Sequence, residues 1–253
     1  SSDLTCAWHE GFANTWMHTG MLLVNGEKMS KSLGNFFTLE EVLEKHSAAA
    51  LRLLMLQTHY RSPLDFSWER LEGAENSLTR IAGTVENLRW AAGHAADAPD
   101  ADRAAALSAA CEQTDTEYRA CMDDDFNTAG ALAAVFGFVT EANQYLEAAQ
   151  ADAAVDADAA LAAADALAGW LDTLGIQLPE PKVELPVGLL GVAAGLCAYT
   201  GDAVDEAAER ILAARAEARA AKDWARADAI RDQLRDMGLV IEDTAAGQRI
   251  KSV

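Results

Sequence analysis

Apolar residues alternate at spacings of three and four along Leu71, Ala74, Leu78, Ile81, Val85, Leu88 and Ala92. That spacing lays one stripe down a helix, so the pattern predicts a long helix opened by Ser67. Helices are likewise expected over roughly 101–121, 128–149 and 156–174, with Asn127 capping the second and Gly175 ending the third. Upstream, Thr38 and Glu41 have the spacing of a capping box, which starts a helix near Leu39. Another runs from about Ser47 to Gln57. Pro63 disfavours helix at the residue before it, and His59 to Phe66 reads as a loop. Pro179, Pro181 and Pro186 lead into a Gly/Ala/Leu-rich run, so 178–201 reads as a linker or irregular arm. Asp202 or a neighbour caps a helix reaching about Lys222, Trp224 to Met237 forms the next, and Gly238 stops it. The tail from Leu239 reads as two short strands about a turn at 244–247. The architecture expected is mainly α: an antiparallel helical bundle over 47–177, then a small α/β module over 202–253.

Composition agrees with a helical chain large enough to bury a core: 253 residues, 51% apolar, with only five prolines. No apolar run approaches the roughly 20 residues that span a bilayer. The N-terminus Ser-Ser-Asp-Leu has neither a basic nor an apolar leader region, so no secretory signal is expected, and the scattered cysteines fit a reducing, cytoplasmic setting. Cys6, Cys111, Cys121 and Cys197 are far apart and form no C-x-x-C pair. That spacing excludes a disulfide scaffold and a self-contained zinc site, and makes Cys111 and Cys121 packing residues.

The formal net charge of −20 is awkward for a protein that grips a polyanion. Its distribution is uneven. Residues 1–202 hold 11 Lys/Arg against 30 Asp/Glu, whereas 203–253 hold 9 against 10. The acid excess with only six lysines is like that of proteins from salt-loving organisms, where screening removes long-range repulsion.

The run Glu27-Lys28-Met29-Ser30-Lys31-Ser32-Leu33-Gly34-Asn35 places two lysines three residues apart among hydroxyls, just after the apolar Met21-Leu22-Leu23-Val24. Ammonium groups on such a loop suit a polyphosphate. The string resembles the KMSKS signature of class I aminoacyl-tRNA synthetases. In order, Asn14-Thr15-Trp16-Met17-His18-Thr19-Gly20-Met21, the loop, His59-Tyr60-Arg61-Ser62, Met122-Asp123-Asp124-Asp125-Phe126-Asn127-Thr128 and Ala221-Lys222-Asp223-Trp224 resemble the cysteinyl-tRNA synthetase family. The likeness runs from the end of the catalytic domain to the C-terminus. Residues 1–46 would then be the last part of that domain, 47–177 a DALR-like tRNA-binding domain, and 202–253 an anticodon-binding module.

The resemblance implies ATP-dependent activation of cysteine and its transfer to tRNA(Cys), with ATP and Mg²⁺ as cofactors and a monomer as the working unit. Lys31 is the implied ATP contact and Lys28 its support, with Met29, Ser30 and Ser32 in the same ATP-binding loop. The two serines either donate hydrogen bonds or shape the loop. Trp16, Met17 and His18 either line the adenosine or cysteine pocket or pack beneath the loop. Ala49-Ala50-Leu51-Arg52 lacks the leading Asp of the DALR pattern, leaving Arg52 structural or tRNA-facing. Asp123-Asp124-Asp125 either binds a cation or starts the following helix. Arg219, Trp224 and Asp228 are the tRNA-binding candidates, Trp224 as a base stacker or else a core residue.

No HIGH string and no His/Cys cluster of zinc spacing occurs; His9, His18, His46, His59 and His94 are scattered. The chain therefore reads as a C-terminal fragment, inactive alone, with no metal ligand of its own and the family's Zn²⁺ held outside it. Two other readings exist: a stand-alone tRNA-binding helical protein, which has no use for a KMSKS loop, and a mycothiol-type cysteine ligase, which lacks an anticodon module.

Overall fold

The computed structural model describes residues 14–179, 185–244 and 247–252. Cys6, His9, Pro181 and the turn residues Ala245 and Ala246 lie outside the described residues, as does the Lys31 side chain. The protein is mainly helical, as expected.

Strand β1 (Leu22–Val24) turns through Asn25 and Gly26, both at positive φ, into β2 (Glu27–Lys28). An Asn-Gly pair suits a two-residue hairpin, since both central residues must be left-handed. A 3₁₀ turn at Lys31–Leu33 follows, then α1 (Leu39–Leu43) and α2 (Ala48–Leu56). Both arms of the Thr38/Glu41 capping box form, and Ser47 caps α2.

The loop expected at 59–66 is corrected in part. Leu64–Phe66 is a strand, β3, lying parallel to β1 with Leu23 opposite Asp65, in the order β2-β1-β3. Pro63 blocks helix but permits the extended strand that follows it. Three residues are too few for alternation to announce a strand.

Four long helices come next: α3 (Trp68–Gly93), α4 (Ala101–Asp123), α5 (Thr128–Ala151) and α6 (Ala157–Thr173). The α3 stripe is buried at all six positions from Leu71 to Leu88, but continues at Ala91 instead of Ala92. Thr84, Leu88 and Ala91, at spacings of four and three, form a second buried stripe rotated from the first, so the buried face turns along the helix. Asn127 caps α5 through its Oδ1, and Gly175 ends α6 at φ +66. Loops 94–100 and 152–156 bond to each other, Ala96 N–H to Val155 O at 3.0 Å and Asp100 N–H to Ala154 O at 3.2 Å. These two loops thus lie side by side.

The described residues form two compact units: one of residues up to 82, 109–141 and 165–179, the other of 83–108, 142–164 and 185 onward. In the first, Phe138 meets Trp170 edge-on, and Trp170 donates its indole N–H to Asp115 at 3.0 Å. In the second, Thr84 and Asn143 pair across α3 and α5, and Arg103 binds Asp152 at 2.6 Å.

The span 178–201 is not simply a linker: Gly188–Cys197 forms helix α7, with Leu189 and Ala193 fully buried. The run is apolar on every side and rich in glycine, so neither propensity nor periodicity marks it; burial holds it helical. It packs with α8 (Val204–Ala220), α9 (Trp224–Asp236) and the hairpin β4 (Leu239–Thr244) and β5 (Gly247–Ser252). Their core is Leu189, Ile211, Ala214, Ile230, Leu234 and Leu239. Asp202 does not cap α8, whose N-cap is Ala203 with no side-chain bond. Among the described residues no helix is long and apolar enough to cross a membrane.

Candidate active-site loop and nucleic-acid interface

The lysine loop is held chiefly by its own backbone. Asn35 closes it from both sides: Oδ1 accepts Ser30 N–H at 2.8 Å, and Nδ2 donates to Lys28 O at 3.2 Å. Ser30 and Ser32 share a hydroxyl–hydroxyl bond of 2.7 Å, and Ser32 N–H donates to Ser30 Oγ. The serines therefore shape the loop in this structure. Met29 N–H reaches back to Leu22 O at 3.5 Å, tying the loop to β1. Lys28 is exposed on β2, while Lys31 opens the 3₁₀ turn. The contribution of Asn35 was not foreseen as a role, although the residue closes the nine-residue string. A short amide at the end of a hydroxyl-rich loop was the available signal.

Beneath the loop's exit Phe37, Phe66 and Trp68 form an aromatic cluster, with Phe37 and Phe66 centroids 4.3 Å apart. Lys45 lies over Trp68 at 5.0 Å, and His46 bonds Glu75 at 2.6 Å. That His46 bond holds the Glu75 carboxyl below its ordinary range. These contacts anchor the loop to the start of α3 and leave Lys28 exposed.

On the same strands an apolar cavity of about 490 Å³ is lined by Met17, Gly20, Leu22, Met55, Leu64 and Phe126, among others. Of the three residues proposed as pocket lining, Met17 lines this cavity; Trp16 and His18 are exposed beside it. Gly20 permits a close approach, because a Cβ there would fall 2.1 Å from Ser62 O. A larger groove of about 810 Å³ between α4 and α6 is lined by Glu112, Asp115, Arg119 and Asp123; Arg119 is already paired with Asp115 at 2.6 Å, so the remaining carboxylates make the groove unsuited to phosphate.

The Asp123–Asp125 run neither starts α5 nor presents a cation site. Asp123 is the last residue of α4, and Asp125 and Phe126 follow at φ +54 and +53. Asp125 accepts the Tyr60 hydroxyl at 2.7 Å and pairs with Arg61 at 3.1 Å. The bond to Asp125 raises the Tyr60 phenol above its ordinary value. With its oxygens so engaged, Asp125 fixes the corner that presents Phe126 to the cavity. Arg52 packs on the end of α6, where a Cβ at Gly175 would lie 2.5 Å from its Nη1.

No group of three or more His, Cys, Asp or Glu suited to a metal exists among the described residues. Cys111 and Cys121 sit on α4 and Cys197 on α7, all as free thiols, so this donor set does not fit zinc.

In the C-terminal module Arg219 lies in the last turn of α8, Trp224 is the first residue of α9 and Asp228 lies one turn later. Trp224 is 59% exposed, which removes it from the core. Arg219 binds Asp243 at 2.9 Å, and Asp228 binds Arg231 at 3.1 Å. Asp243 also takes both Arg215 nitrogens, at 2.7 and 2.9 Å, and Gln248 at 2.7 Å. The Arg215 hydrogen bonds, with its charge and that of Arg219, hold Asp243 below its ordinary pKa.

Comparison with known proteins bears on this arrangement. The class I (C) tRNA synthetase catalytic domain matches residues 2–76, the DALR domain 117–179, and the cysteinyl-tRNA ligase anticodon-binding domain 201–250. The loop on its strands is thus the terminal part of a class I aminoacyl-tRNA synthetase catalytic domain. Cysteine–tRNA ligases of Laribacter hongkongensis and of Pseudomonas aeruginosa are each 41% identical over 236 residues, covering 93% of this chain and 44% of the relative. That of Heliobacterium modesticaldum is 39% identical over 250 residues, covering 97% and 49%. The chain belongs to the cysteine–tRNA ligase family, and spans about half the length of the curated relatives it matches.

Proposed function

We propose that this chain supplies the pyrophosphate-binding loop, the tRNA-facing bundle and the anticodon module of a cysteine–tRNA ligase acting in the cytoplasm. Residues up to 46 serve the catalytic domain, 47–177 the bundle, and α7 with 202–253 the module. Cysteine, ATP and the tRNA for cysteine are the substrates under this reading, and the rest of the active site lies in the length of the relatives that this chain does not span.

The observation that carries it is the Lys28–Asn35 loop, closed by Asn35 and leaving Lys28 exposed inside the matched catalytic segment. In the first step the cysteine carboxylate attacks the α-phosphorus of ATP, and the bond to the bridging oxygen breaks. Cysteinyl-adenylate and pyrophosphate form. Charge builds on the departing oxygens, and a lysine held there favours the transition state over bound ATP. Lys31 takes that role and Lys28 supports it; the serines and Asn35 hold the backbone that aims them, with Met29 fixed to β1. Mg²⁺ accompanying ATP would share the same phosphate charge. In the second step a hydroxyl of the tRNA's terminal ribose attacks the cysteinyl carbonyl, and AMP leaves. Arg219, Trp224 and Asp228 act at the other end, with the exposed indole offered to an unpaired base.

Lys31→Ala in an enzyme of full family length is expected to slow ATP–pyrophosphate exchange by about 10²-fold or more. Exchange at the unsubstituted rate would refute the assignment. The match of an anticodon-binding domain to 201–250 weighs against an amino-sugar ligase, which has no use for one.

A further inference from the structure

We infer that Arg249 is a positioning residue that clasps the C-terminal hairpin to helix α3, fixing where the module that carries Trp224 stands. Arg249 and Ile250 are neighbours on β5, so their side chains leave opposite faces of the hairpin. Ile250 packs on the module core. Arg249 turns the other way and reaches α3 across 162 residues of sequence. Its Nη2 donates to Asn87 Oδ1 at 2.6 Å, and its guanidinium lies 5.1 Å from the Trp90 ring centroid. Its Nε donates to Glu242 on the adjacent strand at 2.5 Å. Only 11% of the side chain is exposed.

Asn87 and Trp90 are three residues apart, on one face of α3, so a single planar group can meet both. Trp90 is braced in turn: His94 stacks on its ring at 4.2 Å and bonds its carbonyl. The module's core cluster draws on α7, α8, α9 and the hairpin and contains no α3 residue. The module can therefore hold its own fold without the clasp. What the clasp adds is a fixed station on the bundle.

That station matters for a ligand longer than the module, and this part rests on the ligase reading above. A tRNA bound at Trp224 and along the bundle gains from both contacts only if their separation is set in advance. The isolated anticodon stem–loop touches the module alone and has nothing to gain.

The test compares Arg249→Ala and Arg249→Lys with the unsubstituted chain, labelled with 5-fluorotryptophan. Trp90→Phe identifies the Trp90 resonance in the ¹⁹F spectrum. Binding is measured for a full-length transcript of a cysteine tRNA and for its anticodon stem–loop. Arg249→Ala is expected to move the Trp90 resonance, leave that of Trp170, and weaken full-length tRNA binding about tenfold while sparing the stem–loop. Arg249→Lys should track the alanine variant, since an ammonium cannot span Asn87, Glu242 and the ring together. An unmoved Trp90 resonance overturns the clasp. Equal losses for both RNAs, or no loss for either, overturn the positioning role. If the unsubstituted chain binds neither RNA, the ligase reading fails, and the Trp90 resonance alone then decides whether the clasp exists.

Discussion

Cations are held in opposite ways in the loop at 27–35 and in the module at 188–252. Lys28 stands exposed on a two-residue strand, and the loop around it is fixed by backbone, serine hydroxyls and the Asn35 amide. In the module Arg215, Arg219 and Arg249 are each committed to a carboxylate, and Arg215 keeps only 9% of its side chain exposed. An ammonium on a hydrogen-bonded loop remains available to an incoming phosphate. A guanidinium locked in a bidentate pair shapes the surface, and under the proposed function base stacking falls to the uncharged Trp224. The chain's charge balance agrees: so acidic a protein can meet polyanions only where its cations are spared or its contacts are not ionic.

The largest expected break is structural. Leu189 is fully buried in the module core, so Leu189→Ala should cost about 3 kcal/mol of module stability. Urea unfolding followed by circular dichroism measures it. A loss under about 1 kcal/mol would return α7 to the status of a linker.

Next comes Asp243. Removing it leaves Arg215 buried and unpaired, but Asp243 is itself 43% exposed and water can reach the gap. Asp243→Ala should therefore cost about 2 kcal/mol, below the figure for a sealed pair. Its folded pKa is depressed, chiefly by the hydrogen bonds from Arg215. A depressed carboxyl contributes stability that is present above the unfolded value and is lost as pH falls through the folded one. The module should weaken below about pH 4, and Asp243→Asn should flatten that acid limb in a thermal-melt series.

The two regions also differ in how far the sequence foretold them. Most caps were readable because they are local: Thr38 with Glu41, Ser67 and Asn127 all bond as spaced, and only Asp202 does not. The α3 stripe was readable because its period persists over many turns. The lysine string was readable as chemistry, yet its closure by Asn35 is a matter of geometry five residues away. Strand β3 and helix α7 were missed for one reason. Each is defined by distant partners, β1 for the one and Ile211 with Ile230 for the other, so no local period marks it. Asp123–Asp125 misled because a helix begins just after it; in fact α4 ends there and Tyr60 and Arg61 claim Asp125. Trp224 was undecidable from composition, since an indole suits a core and a stacking surface equally.

A smaller effect is expected at the loop. Asn35→Ala frees Ser30 N–H and Lys28 O in a setting that water can enter, so the cost to loop order is about 1 kcal/mol. Faster amide exchange at Ser30 is the direct readout. In a full-length enzyme, ATP–pyrophosphate exchange should slow on the order of tenfold through misaligned lysines. Unchanged exchange would leave Asn35 ornamental and return loop alignment to β1.

Trp224→Ala has the smallest expected effect on stability and the most selective one on binding. The indole is 59% exposed on the first turn of α9, and the cap there belongs to Asp223, which accepts Arg226 N–H at 3.1 Å. Deleting the ring leaves that cap and the core beneath it intact, so module stability should change by less than about 0.5 kcal/mol. Stacking on an aromatic is worth about 1–3 kcal/mol per base, which puts the loss of stem–loop affinity near tenfold or above. The loop contributes nothing to that contact, so ATP–pyrophosphate exchange in a full-length enzyme should be untouched. A variant that loses stability instead of RNA affinity would make Trp224 part of the fold after all, and would leave the module only Arg219 and Asp228, both already paired, as candidate contacts.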